Sequence, residues 1–249
     1  MPSHIVLDGV RERVFWNDGD SFSIRSGPMK GTRARLHGFN SLEAYGPAHF
    51  WGAFDGHELF HISKKGTQLA RETEWHCTRK EGTGGYNRIL VDCPRLSDAI
   101  ISTGYAHVFA MGGPPRPELM AYQKKAQAQA LGIWSRGVPD HIVTSVHSQG
   151  EKKFKENPER RAYNRICDTR TGIASVIEHD TVFNACDAWC YGGSCMVYVP
   201  YELRYRFGAE RILCMKRGHQ NRLIPSMDGK PTLPPQLGDP MVSMSDVQR

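Results

Sequence analysis

The chain has 249 residues and 28.0 kDa, with 39% hydrophobic, 23% charged and 10% aromatic residues. That is apolar mass enough for a packed core and too much for a chain disordered throughout. No run approaches the roughly 18 consecutive apolar residues of a spanning helix, so no membrane partner is expected. The 32 Lys and Arg against 26 Asp and Glu give +6 and a pI near 9.0, which favours a polyanionic partner such as DNA or RNA. Residues 1–150 hold 17 basic and 14 acidic side chains and residues 151–249 hold 15 and 12, so any basic surface has to be made by folding.

In chain order, residues 13–16 and 21–25 are short and rich in β-branched or aromatic side chains, with Asn17-Asp18-Gly19-Asp20 as a turn signal between them. They predict a hairpin. A turn at Ser26-Gly27-Pro28 leads to a strand over 32–38, where Ala34 and Leu36 alternate with Arg33, Arg35 and His37. Residues 45–57, with three glycines and Pro47, read as a loop. A helix over 58–72 follows, then a strand pair, 74–79 and 87–93, across the glycine-rich turn 82–85. Residues 96–103 form an amphipathic helix closed by Gly104, and Pro117 opens another over 118–131 with the stripe Leu119, Tyr122, Ala126 and Ala130.

The polar run 148–161 predicts a linker or an exposed helix. Beyond it, strands are expected over 173–182, 195–199 and 212–215, and the proline-rich residues from 225 onward are expected to be poorly ordered. The domain plan is therefore 1–147, a linker 148–161, a Cys-rich accessory domain 162–224 and a tail 225–249. The expected fold is α+β: a small antiparallel barrel with helices, then a small β-rich, Cys-rich domain.

Carboxylates and arginines gather between Asp18 and Arg88. Such a set at one rim of a barrel suits a metal ion and a phosphate, because hard cations take oxygen ligands and arginine donates to phosphate oxygens in pairs. The pieces Asp18-Gly19-Asp20-Ser21, Arg35-Leu36-His37-Gly38-Phe39-Asn40-Ser41-Leu42-Glu43, Tyr45-Gly46-Pro47 and Tyr86-Asn87-Arg88 occur in this order and spacing. Together with Gly104-Tyr105-Ala106 and Leu131-Gly132-Ile133-Trp134-Ser135, they resemble the staphylococcal nuclease (thermonuclease) family over residues 10–136.

That resemblance implies a five-stranded OB-like barrel with three helices and calcium-dependent hydrolysis of DNA or RNA. Asp20 would be a metal-ligand carboxylate, Asn40 stands where a second carboxylate is usual, and Ser41 would offer its main-chain carbonyl. Glu43 would orient or deprotonate the attacking water, and Arg35 and Arg88 would neutralise charge on the phosphate. Asn40 supplies a neutral oxygen, so weaker calcium binding and lowered activity are expected, and a nuclease-like module that binds nucleic acid or protein without cutting is the alternative. Tyr86 and Phe109 are the stacking candidates, with core packing the other reading of Phe109.

Seven cysteines point to an oxidising compartment, secreted or periplasmic, whereas the opening Met1-Pro2-Ser3-His4 has no signal-peptide character and predicts no export by its own N-terminus. Compartment and oligomeric state stay open. Cys77 and Cys93 lie on the two strands paired across 82–85 and read either as a disulfide or as two buried thiols. Among Cys167, Cys186, Cys190, Cys195 and Cys214 no Cys-x2-Cys pair occurs. Two disulfides with one cysteine left over are therefore preferred to a zinc site with His179 or His219. Tyr191, Tyr198, Tyr201, Tyr205 and Phe207 with Arg204, Arg206 and Arg211 read equally as a basic aromatic surface or as β packing.

Overall fold

In the computed structural model, short strands with one apolar side solve their burial problem by closing on themselves. The structure describes residues 3–44, 48–54, 56–85, 87–157, 159–204, 210 and 212–215. Two compact units result, one from residues 1–44 and 61–135, the other from 45–60 and 136–249.

In the first unit, β1 (Ser3–Leu7), β2 (Val10–Trp16), β3 (Ser21–Ile24), β4 (Arg33–Leu36), β7 (Trp75–Gly84) and β8 (Arg88–Asp92) form a closed barrel in the order β1-β2-β3-β4-β8-β7. The five antiparallel strands of the expectation become six, and β1–β7 and β4–β8 pair in parallel. The extra strand, β1, is apolar enough to bury Ile5 and Leu7 against the core. Alternation decides each strand's faces: in β2, Glu12, Val14 and Trp16 point inward and Arg11, Arg13 and Phe15 outward. Trp16, Phe22, Ile24, Leu36 and Val91 fill the interior, each burial contributing about 1.5–3 kcal/mol.

Helices α1 (Gly56–Glu72), α2 (Pro94–Ser102) and α3 (Pro117–Ala128) follow the expected positions to within a few residues. At Gly104 (φ +67°) an added Cβ would lie 2.4 Å from the Leu131 carbonyl oxygen, so glycine ends α2 where the chain passes Leu131. Of the expected stripe, Leu119 and Ala126 are on the buried face of α3, joined by Met120 and Gln123, whereas Tyr122 is exposed and Ala130 lies past the helix end. Gln123 is drawn inward because its side-chain oxygen accepts the Val108 N–H at 2.7 Å. β5 (Phe39–Ser41) and β9 (Ala106–Val108) form a separate two-stranded sheet.

The second unit contains two three-stranded antiparallel sheets. One is β10 (His141–Ser145), β11 (Ala162–Asp168) and β12 (Ala174–His179); the other is β13 (Ala188–Tyr191), β14 (Ser194–Val197) and β6 (His49–Trp51). The loop expected over 45–57 thus contains a buried strand, β6, and its residues belong with the C-terminal half. The expected boundary at 147 moves to 135. The run 148–161, expected as a linker or an exposed helix, contains a short helix, α4 (Lys152–Lys155), with Lys152 and Lys155 exposed, but Phe154 on it is fully buried. Around 212–215 a 3-10 turn, Leu213–Met215, replaces the expected strand, and α5 (Tyr201–Arg204) precedes it. The tail from 225 lies outside the described residues, as do Tyr205, Arg206, Phe207 and Arg211.

Three disulfides join Cys77 to Cys93, Cys186 to Cys214 and Cys190 to Cys195, and Cys167 is a buried thiol outside these bridges. Burial pushes the Cys167 thiol up to about 12, which keeps it protonated and unreactive. Cys190 faces Cys195 directly across β13 and β14, whose turn uses Gly192 and Gly193 in left-handed conformations. Among the described residues no helix is long and apolar enough to cross a membrane.

Candidate active site

The Asp-Gly-Asp turn comes first. Asp18 Oδ1 accepts the Asp20 N–H at 3.1 Å and the Ser21 hydroxyl at 2.7 Å, which closes the turn and aims Asp20 at the end of β5. A Cβ at Gly19 would sit 2.9 Å from Ile100 Cδ1 and 3.1 Å from Ser41 Cβ, so the turn passes close to α2 and to the end of β5. Asp20 is buried, and its Oδ2 accepts the Ser41 N–H at 2.7 Å. Its Oδ1 makes no hydrogen bond but lies 3.0 Å from Arg35 Nη1. The other terminal nitrogen of Arg35 donates to Asn40 Oδ1. Two oxygens from separate elements therefore converge on one positive charge.

Asn40 is buried and its amide is oriented. Its Nδ2 donates to the Ser41 carbonyl at 2.8 Å and lies 3.5 Å from His107 Nε2. His107 sits directly opposite Asn40 in the β5–β9 pair, with Nδ1 2.9 Å from the Val108 carbonyl oxygen. Burial lowers the His107 pKa to about 4, with Arg35 adding to the shift, so the ring is neutral. A neutral ring that donates from Nδ1 can only accept at Nε2. This holds the Asn40 NH2 on its side and turns Oδ1 toward Arg35. Burial also raises the Asp20 carboxyl pKa well above its usual range; Arg35 opposes the shift and Asp18 adds to it. A single guanidinium thus undercompensates this buried carboxylate.

Glu43, half-buried, lies two residues beyond Ser41. Arg88 opens β8, and its Nε donates to the Gly85 carbonyl at 2.9 Å. Arg35 pairs with Leu90 in the β4–β8 register, so Arg88, two residues earlier, lies on the same outward face of the sheet. An added Cβ at Gly84 would stand 3.6 Å from both Arg35 Cβ and the Arg88 carbonyl oxygen, which sets the start of that hairpin beside Arg35. Phe109 is half-buried and meets His107 edge-on at 6.2 Å. Tyr86 lies outside the described residues. Direct contacts thus join Asp20, Arg35, Asn40 and Ser41, with Glu43 and Arg88 on adjoining backbone. His107 was not singled out from sequence, and only its place in a short apolar strand after Gly104 could have signalled it.

Among the described residues, no three His, Cys, Asp or Glu side chains converge as metal ligands. The oxygens available beside the Asp20 carboxylate are the Asn40 amide and the Ser41 carbonyl. All are hard donors, and a buried carboxylate oxygen without a hydrogen bond stands among them, so the set fits a hard cation such as calcium with one negative charge fewer than two carboxylates would supply. In the second unit, Tyr198 is buried, Tyr201 is exposed and Arg204 Nε donates to the Val199 carbonyl at 2.9 Å. No protein-family model and no curated protein matches the chain.

Proposed function

We propose that the protein is a metal-dependent phosphodiesterase acting on DNA or RNA, with its centre at Asp20, Arg35, Asn40, Ser41, Glu43 and Arg88. The observation that carries this reading is the convergence of Asp20 Oδ1 and Asn40 Oδ1 on one positive charge, beside a carboxylate that burial leaves undercompensated. Asp20, Asn40 and the Ser41 carbonyl would hold calcium, which when bound polarises the phosphoryl group. Arg35 uses two nitrogens on Asp20 and Asn40 and keeps further N–H donors for an equatorial phosphate oxygen. Arg88, on the same face, neutralises charge on another. Glu43 takes the proton of the attacking water.

A labelled single-stranded oligodeoxynucleotide with calcium should be shortened, the reaction should stop on chelation, and Arg35→Ala should lower kcat/KM by about 100-fold or more. No cleavage with calcium raised to about 10 mM, above the roughly 1 mM range of weak extracellular calcium modules, would reject the reading.

One observation favours a second reading, a module that binds without cutting: Arg35 already contacts the two oxygens on which a cation would sit. On that reading the native protein never cleaves, and Asn40→Asp gains calcium-dependent cleavage.

A further inference from the structure

Outside this cluster, the barrel carries a second concentration of positive charge. Strand β2 turns Arg11, Arg13 and Phe15 outward, while its one acidic residue, Glu12, points inward and accepts the Ser26 hydroxyl at 2.9 Å. The Arg25 N–H donates to the Arg13 carbonyl, which sets those two arginines side by side on the outer face. Phe15 is 47% exposed, and the guanidiniums of Arg25 and Arg71 lie 5.4 and 5.6 Å from its ring centroid. Arg71 is fixed further by donating to the Trp16 carbonyl at 2.6 Å. Many exposed arginines of this protein face a carboxylate: Arg11 faces Glu74, Arg79 faces Asp8, Arg161 faces Asp180 and Arg170 faces Asp140. Among the described residues, Arg13, Arg25 and Arg71 form no such pair.

We propose that Phe15, Arg25 and Arg71, with Arg13 beside them, form an anchoring site for single-stranded nucleic acid. The guanidiniums are preorganised on an aromatic face, so little side-chain entropy is lost when they bind phosphate, and the exposed part of the ring offers a surface to a base. The excess positive charge selects a polyanion, and the aromatic selects one with flat rings. Phe15 pairs with Ser23, which pairs with Arg33, two residues from Arg35. At about 4.8 Å between strands and 3.3 Å per residue, the anchor lies roughly 12 Å from Arg35. That is three to four nucleotides at about 3.4 Å of stacked rise. The alignment with Arg35 rests on the phosphodiesterase reading; the anchoring site itself does not.

Fluorescence anisotropy with labelled 12-nucleotide oligothymidylate in chelator separates the two. Phe15→Ala should weaken binding by about 5-fold or more. Arg25→Ala, at an exposed position, should weaken it and reduce the slope of log K against log salt by about 0.7. Arg170→Ala should change neither. Full binding and an unchanged slope in both Phe15→Ala and Arg25→Ala would overturn the proposal, as would native protein that binds no oligonucleotide or that binds polyglutamate equally well. Binding lost in the variants, with no cleavage by native protein under any calcium condition, would keep the anchor and reject the phosphodiesterase.

Discussion

The two units reach stability by different routes. The barrel unit has one continuous apolar cluster, from Ile5 through Trp16, Phe22 and Val91 to Leu119, with a single disulfide across neighbouring strands. The second unit divides its buried side chains between smaller clusters, one around Phe50, Val197 and Val199, the other around Val143, Trp189 and Met196, and adds two disulfides. A thin core gains most from constraining the unfolded chain, since cross-links remove loop entropy that small buried areas cannot offset. The barrel's single core leaves polar residues such as Asp20, Arg35 and Asn40 to contact one another in the candidate site, whereas the second unit adds two disulfides to its smaller clusters.

The largest test of this contrast is Phe154→Ala. Emptying that site should destabilise the second unit by about 3–5 kcal/mol and leave the barrel's transition unchanged. Limited proteolysis reports on the same point: the run 148–161 should resist cleavage in the native protein and become the first cut in the variant. Early cutting of the native run would restore it as a linker and weaken the comparison.

Removing the Cys186–Cys214 bridge as the double serine variant should cost the second unit about 3.5 kcal/mol, from its sequence separation of 28. Denaturant titration followed by fluorescence and by circular dichroism would show two transitions moving apart. A single transition shifting as a whole would mean that the units unfold together. Free-thiol counting in unreduced, denatured protein should find one reactive cysteine, Cys167.

His107→Phe sharpens the contrast from the barrel side. Without the Nε2 acceptor, the Asn40 amide loses its orientation, and on the proposed reading the calcium concentration for half-maximal rate should rise about 10-fold. His107→Gln, which can still accept that N–H, should recover part of the loss. An unchanged calcium dependence in both would remove His107 from the positioning of Asn40.

The smallest effect is in the response to pH. In the second unit, burial lowers the His147 pKa, and Glu151 is lowered to about 2, its own burial outweighed by the His147 hydrogen bond and the Lys153 ammonium. His147's contribution is complete above 6.5 and is lost as pH falls below it; that of Glu151 is lost from about 4.5 toward 2. In the barrel, His107 loses stability between 6.5 and about 4, but Asp20, with a raised pKa, gains it as pH falls. Calorimetry from pH 7 to 4 should show the second unit's midpoint falling more than the barrel's, and His147→Gln should flatten that fall.

Local chemistry made the barrel's site readable. The turn at Asp18-Gly19-Asp20, the alternation that puts Arg35 outward between Ala34 and Leu36, and the hairpin that sets Cys77 against Cys93 each depend on residues close in the chain or on adjacent strands. The pairing of Asn40 with His107 does not, because β5 and β9 are three-residue strands lying 67 positions apart at those two residues, too short to show a period.

By itself the sequence determined the α+β class, a barrel in the first half, two bridges with one thiol left over in the second half, and the group Asp20, Arg35, Asn40 and Ser41 as neighbours. Tertiary structure alone decided the sixth strand and its parallel pairings, the transfer of residues 45–60 to the second unit, and the burial of Phe154 within a charged run. It alone also placed Arg25 and Arg71 on Phe15. The physical reason is shared: spacing and turn chemistry act over a few residues, whereas strand partners, buried lone aromatics and guanidinium stacking are chosen by which distant surfaces meet, and no local pattern encodes that choice.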